Sequence, residues 1–333
     1  MGTQVKNVIT IGASAGGISA VSRLISTLSV QLDASVFIVI HVSRNSVTDV
    51  ILNQIQKQTS LKCVIPKDGD PILNGHIYLA PADHHMMLEK GKILVRKGAF
   101  ENHWRPSIDV LFRSAAASYG ACVTGIVLTG LLDDGTSGMS AIKRSGGVCI
   151  VQDPLEADFP DMPKNVLQNI AVDYEVPIAD IGYILSDLFS RQECKSDDAP
   201  NDVKLEAEIT RRMSSSVSDL EKLGTLTAFT CPDCGGTLVK VEEDRVPRYR
   251  CFTGHSFTGK TLENEQVKSL EDSLWVAIRM MEERRNLLNT MSGQNEAVRK
   301  ERAGEMLIHI ERLKNMLMNI GICEGMQQNL NKK

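Results

Sequence analysis

Gly12-Ala-Ser14-Ala-Gly16 sets a serine between small residues at the G-x-S-x-G spacing, in which a strand turns hard into a helix and exposes a hydroxyl at the carboxyl end of a parallel sheet. Val8, Ile9 and Ile11 before it form a short β-branched apolar run, and Ile18, Val21, Leu24 and Ile25 after it fall on one helical face. Strand, turn and helix are therefore expected around Ser14, with free N–H groups at the helix start able to hold an oxyanion. Three uses of such a turn compete: a nucleophilic serine, a pyrophosphate cradle, and a structural turn.

Residue 41 bears on that choice. A dinucleotide fold wants an acid at the end of its second strand, about twenty residues past the glycines, to hold the ribose hydroxyls. The apolar run 36–40 ends instead at His41, which is placed to act as a base beside the neighbouring strand end, although a strand-end histidine also serves as a surface or capping group. A further apolar run, 123–128, leads into Thr129-Gly-Leu-Leu-Asp133-Asp134-Gly135. Asp-Gly is an ordinary turn pair. A carboxylate at a third strand end also supplies what a serine and a histidine lack, a group that fixes the imidazole tautomer and stabilises its cation. The order Ser, His, Asp differs from that of ordinary α/β-hydrolases, where the acid precedes the histidine.

The elements that must position these residues alternate. A helix is expected over 46–58 with Val47, Val50, Ile51 and Ile55 inward, then strands over 61–65 and 77–80. A hairpin turns at Glu89-Lys-Gly91-Lys92. Ser107 is the expected N-cap of a helix carrying Ile108, Leu111 and Phe112. A helix over 137–144, a strand over 148–151, a short helix beginning within 160–167 and an amphipathic helix over 178–189 complete the pattern. The fold class is α/β, a doubly wound, mostly parallel sheet with an antiparallel hairpin. His103-Trp104-Arg105 reads as a solvated loop anchored by Trp104, with carboxylate binding by Arg105 as the alternative.

At 333 residues the chain can hold one large domain and smaller modules. A net charge of −4 argues against a general nucleic-acid binder, and no apolar run approaches membrane-helix length. Met1 leads within seven residues into a core strand, so neither a signal peptide nor membrane insertion is expected, and the location is cytoplasmic. Cys63, Cys122 and Cys149 lie in apolar runs and are expected as reduced core thiols.

The C-terminal third reads as separate modules. Residues 192–202 are polar, and a short helical stretch over 203–213 and a serine-rich segment follow. Cys231-Pro-Asp-Cys234 and Cys251-Phe-Thr-Gly-His255 have the spacing of a Cys₃His site, which would hold a structural Zn²⁺ with no open position, the charged segment 238–249 forming the hairpin of a ribbon. A metal-free ribbon or a redox thiol pair are the alternatives. Val267, Leu270, Leu274, Ile278 and Met281, then Met306, Ile310, Leu313, Leu317 and Ile320, recur at helical spacing on either side of a break near Met291-Ser-Gly293. A helical hairpin is expected there, packing on the chain's own body or on a partner helix. The expected division is 1–190 for the catalytic domain, 191–225 for a linker with a short helix, 226–260 for the ribbon and 261–333 for the helical hairpin.

Gly12-Ala-Ser14-Ala-Gly16-Gly17, Val39-Ile-His41 and Leu128-Thr-Gly130-Leu-Leu-Asp-Asp134-Gly135, supported by Arg105-Pro-Ser-Ile-Asp109, resemble the catalytic domain of the CheB-type chemotaxis protein-glutamate methylesterases, in the family's order through most of residues 6–190. The resemblance implies a triad of Ser14, His41 and Asp134, the aspartate directly before the glycine being the member rather than Asp133. It implies hydrolysis of glutamate γ-methyl esters on the helical signalling region of chemoreceptors with release of methanol, deamidation of receptor glutamines as a related activity, and no cofactor for catalysis. The usual member carries a receiver domain first, whereas this sequence starts inside the catalytic domain, so a response to phosphodonors is not expected. A dinucleotide-dependent oxidoreductase and a non-catalytic signalling adaptor are the competing classes.

Overall fold

The computed structural model describes residues 7–191, 194, 198–291 and 295–330, with residues 191 and 321–330 described as backbone alone. Two compact units divide the chain, Met1–Thr261 and Leu262–Lys333. The first begins with β1 (Asn7–Ala13), α1 (Gly17–Ser26), β2 (Ala34–Ile40), α2 (Thr48–Gln56), β3 (Lys62–Val64), β4 (His76–Leu79), β5 (His85–Glu89) and β6 (Lys92–Arg96). It continues through α3 (Ile108–Tyr119), β7 (Val123–Val127), α4 (Thr136–Arg144), β8 (Val148–Gln152), α5 (Asp161–Asn169), β9 (Tyr174–Val176) and α6 (Ile178–Arg191).

Seven of these strands form a parallel sheet in the order β3-β4-β2-β1-β7-β8-β9, and β5 pairs antiparallel with β6. Central strands buried on both faces need side chains that are apolar throughout, as β1 and β2 are. Ile9, Ile11 and Ala13 pack with Val21, Leu24 and Ile25 of α1, while Val8 faces the layer that holds Phe112 and Ala115 of α3. Each large apolar side chain buried this way contributes roughly 1.5–3 kcal/mol.

The chain runs from β1 to β2, crosses to β3 at the edge, comes back to β4 between them and then passes to β7 on the other side of β1. Strand order reverses there, which opens a crevice at the carboxyl ends of the strands. The strand ends are level: Ala13 is the register partner of Ile40, and Gly12 that of Val127. Residues just past positions 13, 40 and 127 are thus delivered to one rim.

Four expectations are corrected. Val47 and Val50 are 61% and 63% exposed, because Val47 precedes the first turn of α2 and Val50 lies about 100° round the helix from Ile51 and about 140° from Ile55. The edge strand β9 was not expected; at three residues, with Glu175 exposed, it is too short to show a pattern. Cys122 is joined to Cys194 by a disulfide with a Cα–Cα distance of 5.2 Å, whereas Cys63 and Cys149 are the expected buried free thiols. The segment around Trp104 is only partly solvated: His103 is exposed, Trp104 and Arg105 are half-buried, and Pro106 and Ser107 are buried.

The rest of the first unit comprises α7 (Asn201–Arg212), α8 (Val217–Leu223) and an antiparallel sheet of β10 (Gly224–Thr230), β11 (Thr237–Val241), β12 (Arg248–Cys251) and β13 (Ser256–Thr258). Of the expected linker, residues 192, 193 and 195–197 lie outside the described residues, and α7 begins at Asn201. A buried ion cluster ties this part to α3. Arg113 donates to Glu101 at 2.9 Å, Arg250 to Glu101 at 3.2 Å and to Glu206 at 3.3 Å, and Arg248 to Glu206 at 2.8 Å and Asp244 at 2.9 Å. Three guanidinium groups meet three carboxylates, the balance that such burial requires. Ser137 and Ser140 of α4 also donate to Asp244, at 3.0 and 2.8 Å.

Most of α9 (Gly259–Thr290) and all of α10 (Glu296–Leu330) form the second unit. Leu274, Ile278 and Ile310 of the expected stripes are buried, while Leu270 is half exposed. The expected break at Ser292-Gly293 lies outside the described residues.

Candidate active site

Ser14 sits half-buried in the turn between β1 and α1, its N–H donating to Thr129 O at 3.0 Å. The turn depends on Gly16, whose φ of 73° is left-handed and suits a residue without Cβ. Gly130 is needed for a different reason: a Cβ there would stand 2.8 Å from Ser14 Cβ and 2.0 Å from Met162 Sδ. The N–H groups of Ala15 and Gly16 donate to no backbone carbonyl among the described residues.

His41 follows Ile40, and its N–H donates to Ala13 O at 3.0 Å, which places residues 14 and 41 side by side across strands about 4.8 Å apart. Its Nε2 lies 2.8 Å from Asp134 Oδ2. Its Nδ1 is buried and has no hydrogen-bond partner. Trp104 stacks on the imidazole, with ring centroids 4.1 Å apart and planes 6° apart. No hydrogen bond joins Ser14 Oγ to His41 among the described residues, a looseness common in catalytic pairs without substrate. The structure thus brings His41 and Asp134 into contact and carries Ser14 to the adjacent strand end.

Asp134 is held in a cage. Oδ2 accepts from Ile108 N–H at 2.7 Å; Oδ1 accepts from Ser107 Oγ at 2.9 Å, Asn102 Nδ2 at 3.0 Å and Asp109 N–H at 3.3 Å. Two of these donors are at the start of α3, where orphan N–H groups and the helix dipole favour negative charge. Burial pushes the Asp134 carboxyl up, but the hydrogen bond and charge of His41, then the bonds from Asn102 and Ile108, bring it below the usual carboxylate range. Burial and the charge of Asp134 hold the neighbouring Asp109 well above that range. Asp133 points elsewhere: its carboxyl accepts from Thr258 Oγ1 and, at 3.1 Å, from Thr261 Oγ1, and burial raises its pKa.

Ser107 occupies the expected N-cap position, yet its hydroxyl serves Asp134 rather than the helix. Arg105 does bind a carboxylate, that of the protein's own Asp83, at 2.6 and 3.0 Å, with its guanidinium over Phe100. Sequence reasoning missed Asn102 and Asp109 as parts of the site. Asn102 has φ 49° and His103 φ 69°, and asparagine is a residue that tolerates this conformation, a signal too common to pick out one position.

The four cysteine and histidine residues singled out in the ribbon also come together. The ligand atoms of Cys231, Cys234, Cys251 and His255 all lie within 4.8 Å of one another. Cys234 Sγ is 3.7 Å from Cys251 Sγ, and Cys251 Sγ is 3.4 Å from His255 Nδ1. A tetrahedral zinc with ordinary bond lengths has S–S edges of about 3.8 Å and S–N edges of about 3.6 Å, so the donor set fits such an ion. His255 Nε2 lies 3.8 Å from Asp233, an ion-pair separation beyond hydrogen-bond reach. Among the described residues no helix is long and apolar enough to cross a membrane.

Comparison with known proteins bears on the first 190 residues. Residues 9–185, just over half of the chain, match the model of the CheB methylesterase family. A Leptospira interrogans protein bearing the protein-glutamate methylesterase/protein-glutamine glutaminase name is 36% identical over 174 residues, 52% of this chain and 90% of that protein. A Rhizobium johnstonii protein-glutamate methylesterase/protein-glutamine glutaminase is 33% identical over 178 residues, which cover 52% of this chain and 48% of that longer protein. The crystal structure of the Thermotoga maritima CheB methylesterase catalytic domain superposes with a TM-score of 0.52 at 28% identity, covering 55% of this chain and 98% of that one. With His41 bonded to Asp134 where a dinucleotide fold would place its ribose-binding acid, these likenesses agree with the site: the chain belongs to the CheB methylesterase family.

Proposed function

We propose that the protein is a serine methylesterase that hydrolyses glutamate γ-methyl esters in the helical signalling region of chemoreceptors, with deamidation of receptor glutamines as a second activity of the same site. The observation that carries this reading is the imidazole bound to Asp134 through Nε2, with a buried and unpartnered Nδ1, next to the strand end that carries Ser14. An unmet buried nitrogen costs about 1–3 kcal/mol, which a hydrogen bond from Ser14 Oγ would recover. Nδ1 takes the serine proton as Oγ attacks the ester carbonyl; Asp134 stabilises the imidazolium; the free N–H groups at Ala15 and Gly16 receive the oxyanion. Nδ1 returns the proton to the departing methanol, and water releases the acyl group by the same route.

On this reading residues 1–190 are the catalytic domain, 191–225 a helical connection whose Glu206 joins the ion cluster, 226–260 a ribbon holding a structural Zn²⁺ through Cys231, Cys234, Cys251 and His255, and 261–333 a helical hairpin for a partner helix. The fit of the ligand edges to a tetrahedron supports the zinc. The protein works in the cytoplasm, where such receptor segments lie. Methanol release from methylated receptor membranes tests the activity. Ser14→Ala should abolish it and also abolish labelling by a serine-directed fluorophosphonate with the fold intact; an unimpaired Ser14→Ala protein removes the nucleophile.

A further inference from the structure

The four residues of the cysteine cluster lie in two turns. Cys231 and Cys234 shape the β10–β11 turn, with Cys231 N–H donating to Gly236 O at 2.7 Å. Cys251 and His255 close the β12–β13 turn, with Cys251 N–H donating to His255 O at 2.9 Å. An ion bound by all four would cross-link the turns.

The strand that leaves His255 runs onto the segment that supports Asp134. Ser256 O accepts from Asn102 N–H at 2.8 Å, and Ser256 N–H donates to Phe100 O at 3.3 Å. Thr258 N–H donates to Asn102 Oδ1 at 3.1 Å. Asn102 Nδ2 then donates to Asp134 Oδ1 at 3.0 Å and to Asp109 Oδ2 at 2.8 Å. Every polar group named on Asn102 is engaged, its N–H and amide oxygen by β13 and its NH₂ by the two carboxyls. Two residues on, Trp104 covers the imidazole. The path from metal ligand to triad carboxylate is therefore His255, Ser256 and Thr258, Asn102, Asp134.

β13 has only three residues, and the side chain it buries best is Phe257. β12 on its other flank is independently fixed by Arg248 and Arg250 in the ion cluster. Loss of a cross-link at residues 251–255 would thus loosen the His255 end of β13, where Ser256 meets Phe100 and Asn102, while β12 stays in place and Thr258 remains tied to Asp133.

We propose that metal occupancy of the Cys231, Cys234, Cys251 and His255 cluster holds β13 against Asn102, and that Asn102 is a positioning residue through which the ribbon sets the geometry of Asp134 and so the turnover of the esterase site. The inference rests on the esterase reading above. Because it acts on the orientation of the base and not on the ester-binding surface, metal removal changes kcat and leaves KM.

The test uses the full chain, loaded with one equivalent of Zn²⁺ or stripped by a chelator, as wild type and as Asn102→Gly. Glycine accepts the left-handed backbone at position 102 and keeps the N–H bond while removing the side chain. Methanol release gives kcat and KM, and backbone amide exchange at residues 100–104 gives a readout apart from activity. Stripping wild type should lower kcat at least about tenfold with KM within about twofold, raise exchange at Asn102, and be reversed by Zn²⁺. Asn102→Gly should retain one zinc, start from a lowered kcat, and lose less than about twofold more on stripping.

A chain that binds no zinc, or a stripped wild type with unchanged kcat and exchange, overturns the proposal. So does an equal loss on stripping in both backgrounds, including outright unfolding, since the metal would then act by a route other than Asn102. A loaded protein with no Ser14-dependent turnover refutes the esterase reading instead, and exchange at Asn102 then decides the coupling alone.

Discussion

Replacing Asp134 with asparagine should damage both the chemistry and the fold, because neither carboxylate oxygen can become an NH₂ without meeting a donor. Oδ1 accepts from three groups, Asn102 Nδ2, Ser107 Oγ and Asp109 N–H, so the amide oxygen takes that side. The NH₂ then stands where Oδ2 was, 2.7 Å from Ile108 N and 2.8 Å from His41 Nε2. Nε2 must accept a proton where it had donated one, which moves the ring hydrogen to Nδ1 and removes the lone pair that would deprotonate Ser14. Loss of the correct tautomer is worth about ten-thousandfold in kcat, or about 5.5 kcal/mol. Ile108 N–H loses its acceptor, a buried loss of about 1–3 kcal/mol in stability. Methanol release from methylated receptor membranes measures the first effect and urea unfolding the second, with KM expected to stay within a few-fold. An Asp134→Asn enzyme whose kcat is within tenfold of wild type would falsify the assignment of Nδ1 as the base. Unchanged stability would refute the cage.

Two predictions concern the ion cluster. Glu206→Gln leaves Arg248 and Arg250 short of an anion in a site that is 1–2% exposed, and should cost about 3–5 kcal/mol in urea unfolding; the same change at the half-buried Glu208, whose side chain is 38% accessible, should cost less than about 1 kcal/mol, and equal losses at both would mean the cluster is solvated. Burial pushes the Glu101 carboxyl up, yet Arg113 and Arg250 hold it down at about 2. A depressed folded pKa gives stability that is present above the ordinary glutamate value and is lost as pH falls toward the folded one, so the urea midpoint should drop between about pH 4.5 and 2. Glu101→Gln should flatten that drop, and a wild-type midpoint that holds steady through this window would contradict the pairing.

What sequence reasoning captured was local. The apolar runs at 8–11, 36–40 and 123–128 announced buried strands, and a residue just past each such run is delivered to the sheet's rim whatever the rest of the chain does. Ser14 and His41 were legible for that reason, whereas the choice of Asp134 over Asp133 came from the family resemblance. Asn102, Asp109 and the second use of Ser107 were not, since their roles depend on where α3 begins relative to β7 and on a ribbon strand more than 150 residues later. Arg248 and Arg250, two apart on one strand face, carry no sign of burial in the sequence because the glutamates that bury them come from the segment before α3 and from α7. The partner of Cys122 was hidden likewise, fixed by where the chain returns after α6.

The shared ion cluster makes the two halves of the first unit unequal in their need for each other. Cut free after α6, the sheet would keep Arg113 and Glu101 as an adjacent pair of opposite sign, able to neutralise each other at a wetted face. A ribbon severed ahead of α8 would lack both Glu101 and Glu206, leaving two cations on one strand with Asp244 as the nearest anion. The hydrolase scaffold is thus the host and the ribbon its guest: the strands borrow their counter-charges, while the scaffold can neutralise its own.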